Sequence, residues 1–347
     1  MHGGPIRGIR RERTQCESDG AYYAVCGYLW GVSRGKGRLF MLRSANSQWL
    51  CIVALAALHI GCKKQPASAK LIAFTGIAPH SYFVQRIAGD RFETHALISP
   101  GQNPHSYSPT PEQMAKLSEA QLFFRTGIEF EQSVIAKIEQ TMPDLNIVDL
   151  LEGIDATTHP AARDHAYDTG HSAHAGEEEH HHHHAEDVHI WLSPVLAKQQ
   201  AQTIKDALTR FDPKFEVVYE SNLQQLLKDL DSLNQELHAI FGPYEGSDLF
   251  VFHPAFGHFA QEYALRQIAV ETGGKEPGAK ALARLIEQAR RQQPAAIFVQ
   301  PQYSRKSAQT IAEQIDCAVV PINPLPADYF QEMRQLAHAI KTGLAKE

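Results

Sequence analysis

Three histidines stand where their chemistry could be used. His105 lies in SPGQNPHSYSPTP, a Gly/Pro-rich loop after an apolar run; His189 lies in DVHIWLSP, where an irregular stretch gives way to ordered pattern; His253 ends the apolar run of VFHPAFGHF. Ends and turns of elements are where α/β folds put their ligand sites. A neutral imidazole offers one lone pair at about 2.0–2.1 Å to Zn²⁺, and three such donors with an open fourth position make a familiar zinc arrangement. Taken singly, each is as well explained by a packing or turn role, and sequence spacing does not establish that they converge. Nearby residues invite the same question. Asp187 could orient His189 or cap a turn, and Trp191 is expected to pack beside the site. His258 should fall on the helix after His253, behind the site or at the surface. His80, His95, His238 and His338 sit in helical or strand patterns and read as core or surface residues.

Three other chemistries have no footing. There is no HExxH in which a Glu would serve a metal-bound water, no GxSxG, and no paired cysteines. Gly273-Gly274-Lys275 lacks the GxxxxGK[ST] spacing of a phosphate loop. The charge balance, 33 Lys+Arg against 39 Asp+Glu for a net −6, argues against a general nucleic-acid binder, which needs a basic face. No apolar run approaches the roughly 20 residues that span a bilayer, so an integral transporter subunit is not expected.

The elements that must position the histidines follow from periodicity. With 347 residues and 43% apolar content, the chain can build about two domains. From Lys70 onward short apolar runs alternate with amphipathic stretches, the mark of α/β units. LIAFTGI, FETHALIS, AQLFFRTG and NIVDL read as strands of a first lobe; LFVFHPAF, RQIAVE, AAIFVQ and CAVVPIN read as strands of a second. The expectation is therefore two similar α/β lobes of parallel-sheet type, at 62–212 and 243–347. Between them Tyr219, Leu223, Leu226, Leu227, Leu230, Leu233, Leu237, Ile240 and Phe241 recur at three- and four-residue spacing. Asp212-Pro213 opens this pattern and Gly242-Pro243 closes it, predicting one long rigid helix over 213–242 that joins the lobes; a short coiled coil is the alternative.

Two segments break the pattern. Residues 155–186 are acidic and His-rich, with nine of the 19 histidines, including the run His180, His181, His182, His183 and His184. Such a segment cannot bury a core and reads as a loop, either a low-affinity metal collector or a solvated spacer. At the N-terminus, Trp49 to Ile60 form a 12-residue apolar run after Met41 and Arg43, the size of a secretory h-region. Residues 41–61 then read as a signal peptide, and 1–40 as an extension without a place in the fold. Gly61-Cys62 after this run resembles a lipobox, which would make Cys62 a lipidated first residue; an ordinary signal peptide is the alternative. Removing 1–61 would leave Cys62 and Cys317 as the remaining cysteines, so the fold must rest on its cores.

The segment ISPGQNPHSYSPTPEQMAKLSEAQLFFRTGIEFE, then DVHIWLSP before a DP-initiated helix, then VFHPAFGHFAQEYAL and FVQPQYS, resembles the ZnuA-like zinc group of metal-binding receptors of bacterial ABC transporters (cluster A-I). The resemblance spans residues 68–347. It implies an exported, non-enzymatic receptor that holds metal between its lobes. It also implies a separate ABC permease and ATPase as partners, a membrane association through the Cys62 lipid, and a monomer. It carries His105, His189 and His253 over as the ligands. Manganese and iron relatives supply an Asp from a D-P-L motif, where this chain has Asn323, and an E-P-Q motif reads Gln300-Pro301-Gln302. A neutral His₃ set completed by water or the Asn323 carboxamide favours Zn²⁺ over oxygen-preferring Mn²⁺. Glu271 and Glu276 are further candidates to close the shell. The rival readings are a manganese or iron receptor, a metal chaperone or adhesin of the same family, and a periplasmic zinc hydrolase.

Overall fold

The computed structural model describes residues 70–99, 101–154, 187–271, 278–303 and 305–345. The readings made for residues 1–61, Cys62, the 155–186 segment with His180 to His184, Gly273-Gly274-Lys275 and Glu276 lie outside the described residues.

All eight apolar runs form strands. In the first lobe β1 (Leu71–Thr75), β2 (Phe92–Ala96), β3 (Leu122–Arg125) and β4 (Asn146–Asp149) make a parallel sheet of order β2-β1-β3-β4. In the second, β5 (Asp248–Val251), β6 (Arg266–Ala269), β7 (Ala296–Val299) and β8 (Ala318–Pro321) repeat that order as β6-β5-β7-β8, again parallel. Parallel strands need crossovers, and helices supply them: α1 (Ala78–Ala88), α2 (Pro111–Leu117) and α3 (Glu129–Thr141) in the first lobe. The chain then runs through α4 (Pro194–Phe211) and α5 (Glu216–Phe241) into α6 (Gly257–Glu262), α7 (Ala279–Gln292), α8 (Arg305–Ile315) and α9 (Tyr329–Leu344). In each sheet the order reverses beside the first strand, which opens a crevice at the carboxyl ends of the strands.

The long helix is 26 residues rather than the whole of 213–242. Pro213–Phe215 form a 3₁₀ turn before it; the Asp212 side chain makes no capping bond there and accepts from Arg91 Nε at 2.5 Å. Helix α5 buries Tyr219, Leu223, Leu226, Leu230, Leu233, Leu237 and Phe241 on one face, which packs on α1 and α4 of the first lobe and on α9 of the second. One hydrophobic core therefore runs from Phe74 and Phe123 through this stripe to Phe259 and Tyr329. A separate core under α7 and α8 covers the other face of the second sheet.

A buried polar pair sits behind the first sheet. His80 donates from Nε2 to Gln200 and accepts from the Thr126 hydroxyl at Nδ1 (2.9 Å), while Glu131 Oε2 accepts from the backbone N–H of Thr126 and Gly127 at 2.8 and 2.7 Å. Burial pulls His80 down to about 3 and pushes Glu131 up to about 7. The signs oppose. Stability associated with Glu131 is present below about 4.5 and lost as pH rises through about 7; that of His80 is present above about 6.5 and lost as pH falls through about 3. Glu131→Gln keeps an acceptor for both N–H groups and removes one titration. The difference in unfolding free energy, variant minus wild type, should grow by about 3 kcal/mol between pH 4.5 and 7 in denaturant titrations. A flat difference would show that Glu131 does not titrate there.

Candidate metal centre

The three histidines enter the crevice on different supports. His253 lies two residues beyond β5, where the strand ends in the Phe252–Ala255 turn. His105 sits in the 3₁₀ turn Pro104–Ser106, capped by Asn103 Oδ1, which accepts from His105 N–H at 2.9 Å. That loop is pinned from below, since the Tyr107 hydroxyl and the Gln113 amide both donate to the Leu97 carbonyl (2.6 and 2.7 Å). His189 is not at a strand end. It precedes the 3₁₀ turn Ile190–Leu192, whose Trp191 is fully buried.

The rings meet. His105 and His253 have their Nε2 atoms 3.2 Å apart, and the His189 ring centroid is 5.4 Å from that of His253. Two nitrogens on one tetrahedral ion at zinc–imidazole length would be about 3.3 Å apart. Among the described residues no three His, Cys, Asp or Glu side chains are already set as a metal shell. The cluster is thus one of imidazoles in contact, and an ion would be taken by a small closing adjustment of the rings. A cavity of about 50 Å³ lies here, lined by the three histidines with Glu129, Trp191 and Tyr303. A far larger groove of about 1000 Å³ lies against β8 and α9, but its walls are mainly alanine, valine and threonine with His338 alone among the usual metal ligands.

Each ring has a carboxylate at its Nδ1; Asp187 behind His189 was expected from the sequence, while Glu271 and Glu129 in that role were not. His189 Nδ1–H donates to Asp187 Oδ1 at 2.6 Å, and the His189 backbone N–H donates to the same oxygen at 3.0 Å. His253 Nδ1–H donates to Glu271 Oε2 at 3.2 Å. Glu129 Oε2 stands 3.6 Å from His105 Nδ1, an ion-pair distance. A carboxylate on Nδ1 fixes the tautomer with its lone pair on Nε2, and the Nε2 atoms of His105 and His253 face each other. Asp187 would be hard to ionise in so buried a place, but the neighbouring His189 ring and its hydrogen bond hold the carboxyl below the usual range. Burial, together with the two other imidazoles, pulls His253 below an ordinary imidazole against the opposing pull of Glu271, so its lone pair stays free of protons at neutral pH.

His253 is held on every side. Gln300 Oε1 accepts from its backbone N–H and Gln300 Nε2 donates to its carbonyl, while the Tyr303 ring stacks on its face at 4.8 Å. Asn323, considered as a fourth donor, is engaged elsewhere: its Oδ1 accepts from Leu325 N–H at 3.1 Å and its Nδ2 donates to Glu332 Oε2 at 3.0 Å. The carboxamide stabilises its own turn and is not among the residues lining the cavity. Glu271, likewise a candidate to close the shell, has one oxygen committed behind His253. Asp187→Asn and Glu271→Gln each keep an acceptor and lose a charge; both should weaken metal binding about 10–100-fold in chelator competition, and unchanged affinity would remove these carboxylates from the site.

Comparison with known proteins identifies the family of the chain. The family profile of ZnuA, the periplasmic component A of a zinc-uptake complex, matches residues 74–343. The high-affinity zinc uptake system protein ZnuA of Bacillus subtilis is 28% identical over 317 residues, covering 85% of this chain and 95% of that protein. The zinc-binding lipoprotein AdcA of Streptococcus pneumoniae is also 28% identical, over 80% of this chain and 54% of its own length. Among solved structures, a crystal structure of ZnuA superposes with a TM-score of 0.69 at 33% identity, covering 80% of this chain and all of that one. A zinc-bound ZnuA deletion mutant matches with the same TM-score and identity.

Proposed function

The chain belongs to the ZnuA family and is therefore the zinc-binding, substrate-binding component of an ABC metal importer, and we propose that His105, His189 and His253 are the residues that hold the zinc. The observation that carries this is the contact of three imidazoles, from three separate stretches of chain, with the Nε2 atoms of His105 and His253 3.2 Å apart. Nitrogen donors without a carboxylate in the first shell suit Zn²⁺ better than Mn²⁺. The buried Asp187 and Glu271 supply negative charge one layer out, where it balances the ion without taking a coordination position. The fourth position is left to water.

The family is exported and works with a permease and an ATPase carried on other chains. In our reading this chain acts as a monomer, is tethered to a membrane through a lipid on Cys62, and performs no catalysis. The buried carboxylates Asp187 and Glu271 stand behind imidazole Nδ1 atoms, which suits holding an ion rather than activating a water upon it. Helix α5, packed on both lobes, favours capture by ring and loop adjustment over wide hinge closure. The His180 to His184 run is proposed as a weaker collector, so deleting 155–186 should remove loosely held zinc and spare one tight site.

The deciding experiment is zinc stoichiometry by calorimetry on the wild type and on His105→Ala, His189→Ala and His253→Ala. One tight zinc lost in each variant is expected; a tight zinc retained in all three overturns the assignment. Mn²⁺ competing on equal terms with Zn²⁺ would favour the manganese reading. Absence of palmitate labelling on a Cys62-containing precursor would remove the anchor.

A further inference from the structure

We infer that His258 is a positioning residue for zinc capture, fastening the segment that carries His189 to the second lobe without itself touching the metal. This rests on the three-histidine site proposed above. His258 lies on α6, five residues beyond His253, and only 2% of it is exposed. Its Nε2–H donates to the Asp187 backbone carbonyl at 2.7 Å. Asp187 in turn receives both the backbone N–H and the ring Nδ1–H of His189 on one carboxylate oxygen. A continuous relay thus runs from α6 to the Asp187 carbonyl, to the Asp187 carboxylate, to the His189 ring.

Packing alone does not account for an imidazole here. The Nδ1 atom of His258 is buried with no hydrogen-bond partner. An orphaned buried nitrogen is unfavourable, and a phenylalanine would fill similar space without it. The side chain is explained by the one bond it makes. That bond matters because of where Asp187 stands: it is the first described residue after the 155–186 segment, and His189 gains no support from a strand end as His253 does. Helix α6 packs on the Ile190–Leu192 turn, so His258 and this turn together set His189 in a frame shared with His253. His105 is the ligand brought from the other side.

The reach of the donor makes the idea testable. Glutamine places an N–H near the position of imidazole Nε2; asparagine places one near Nδ1, short of the Asp187 carbonyl; phenylalanine fills the space with no donor. We expect zinc affinity, measured by chelator competition, to fall about tenfold in His258→Asn and His258→Phe and to return to within about twofold in His258→Gln. The ligand-field spectrum of the Co²⁺-loaded protein should shift in the first two and match wild type in the third. Wild-type affinity in both Asn and Phe variants, or equal weakening in all three, overturns the proposal, the latter because it marks a packing role. His253→Ala is measured alongside: tight zinc retained there would instead sink the site assignment on which the inference depends.

Discussion

Replacing His253 by alanine should cost more zinc affinity than any other single change in the chain. The residue is 6% exposed, and its ring is 4.8 Å from the centroid of His105 and 5.4 Å from that of His189. Its loss removes a proposed ligand and also strands Glu271. That carboxylate already has one oxygen without a partner, and without His253 it would be buried with neither oxygen bound to an imidazole. The loss should exceed the roughly 10–100-fold attached to outer partners of a metal site, because the proposed role of this ring is a direct bond to the metal. Chelator competition at pH 7 and at pH 5.5 checks it. Wild-type affinity should drop at the lower pH as protons compete for imidazole lone pairs. The His253→Ala protein should fail to hold tight zinc at either pH, and a submicromolar zinc surviving at pH 7 would contradict the role given to this ring.

Trp191→Ala should be the most destabilising substitution near the site and should weaken zinc binding as well. The indole is fully buried and donates from Nε1 to the Pro324 carbonyl of the second lobe at 2.7 Å. Its own carbonyl accepts from the Tyr329 hydroxyl at 2.7 Å, so the Ile190–Leu192 turn is tied to the second lobe twice. Truncating a buried Trp costs about 3–5 kcal/mol through lost contacts and the cavity left behind. An orphaned Pro324 carbonyl adds about 1–3 kcal/mol unless water reaches it. Because the His189 ring rests against the indole at 5.2 Å between centroids, the ligand also loses a wall. Trp191→Phe separates the two effects: it keeps much of the packing and drops the hydrogen bond, so it should recover most of the stability. Thermal unfolding with and without zinc measures both. A Trp191→Ala protein as stable as wild type would show that the lobes are held elsewhere.

Much of the frame was legible in the sequence because its signals are local. Central strands buried on both faces show as continuous apolar runs, edge strands as shorter mixed ones, and all eight runs, from LIAFTGI to CAVVPIN, contain a strand. The three- and four-residue spacing from Tyr219 to Phe241 marks one buried face of a helix, and that face is buried. Boundaries were less legible. Asp212-Pro213 looks like a helix start, yet Asp212 pairs with Arg91, a residue 121 positions away that no local pattern can announce.

Residue types and their placement at element ends marked His105, His189 and His253, and the family resemblance singled them out as a set. What the sequence alone determined is the inventory: which donors exist, on which kinds of element, and that no charged residue stands at 323. Only the tertiary structure decided the partnerships. It set Glu271 behind His253 because β6 lies next to β5, turned Asn323 into its own loop, and brought His258 onto the Asp187 carbonyl across 71 residues. The reason is that periodicity reports which side of an element faces a core. Which atom of one loop meets which atom of another depends on sheet order, register and the packing of helices from both lobes, quantities that exist only once the chain has closed on itself.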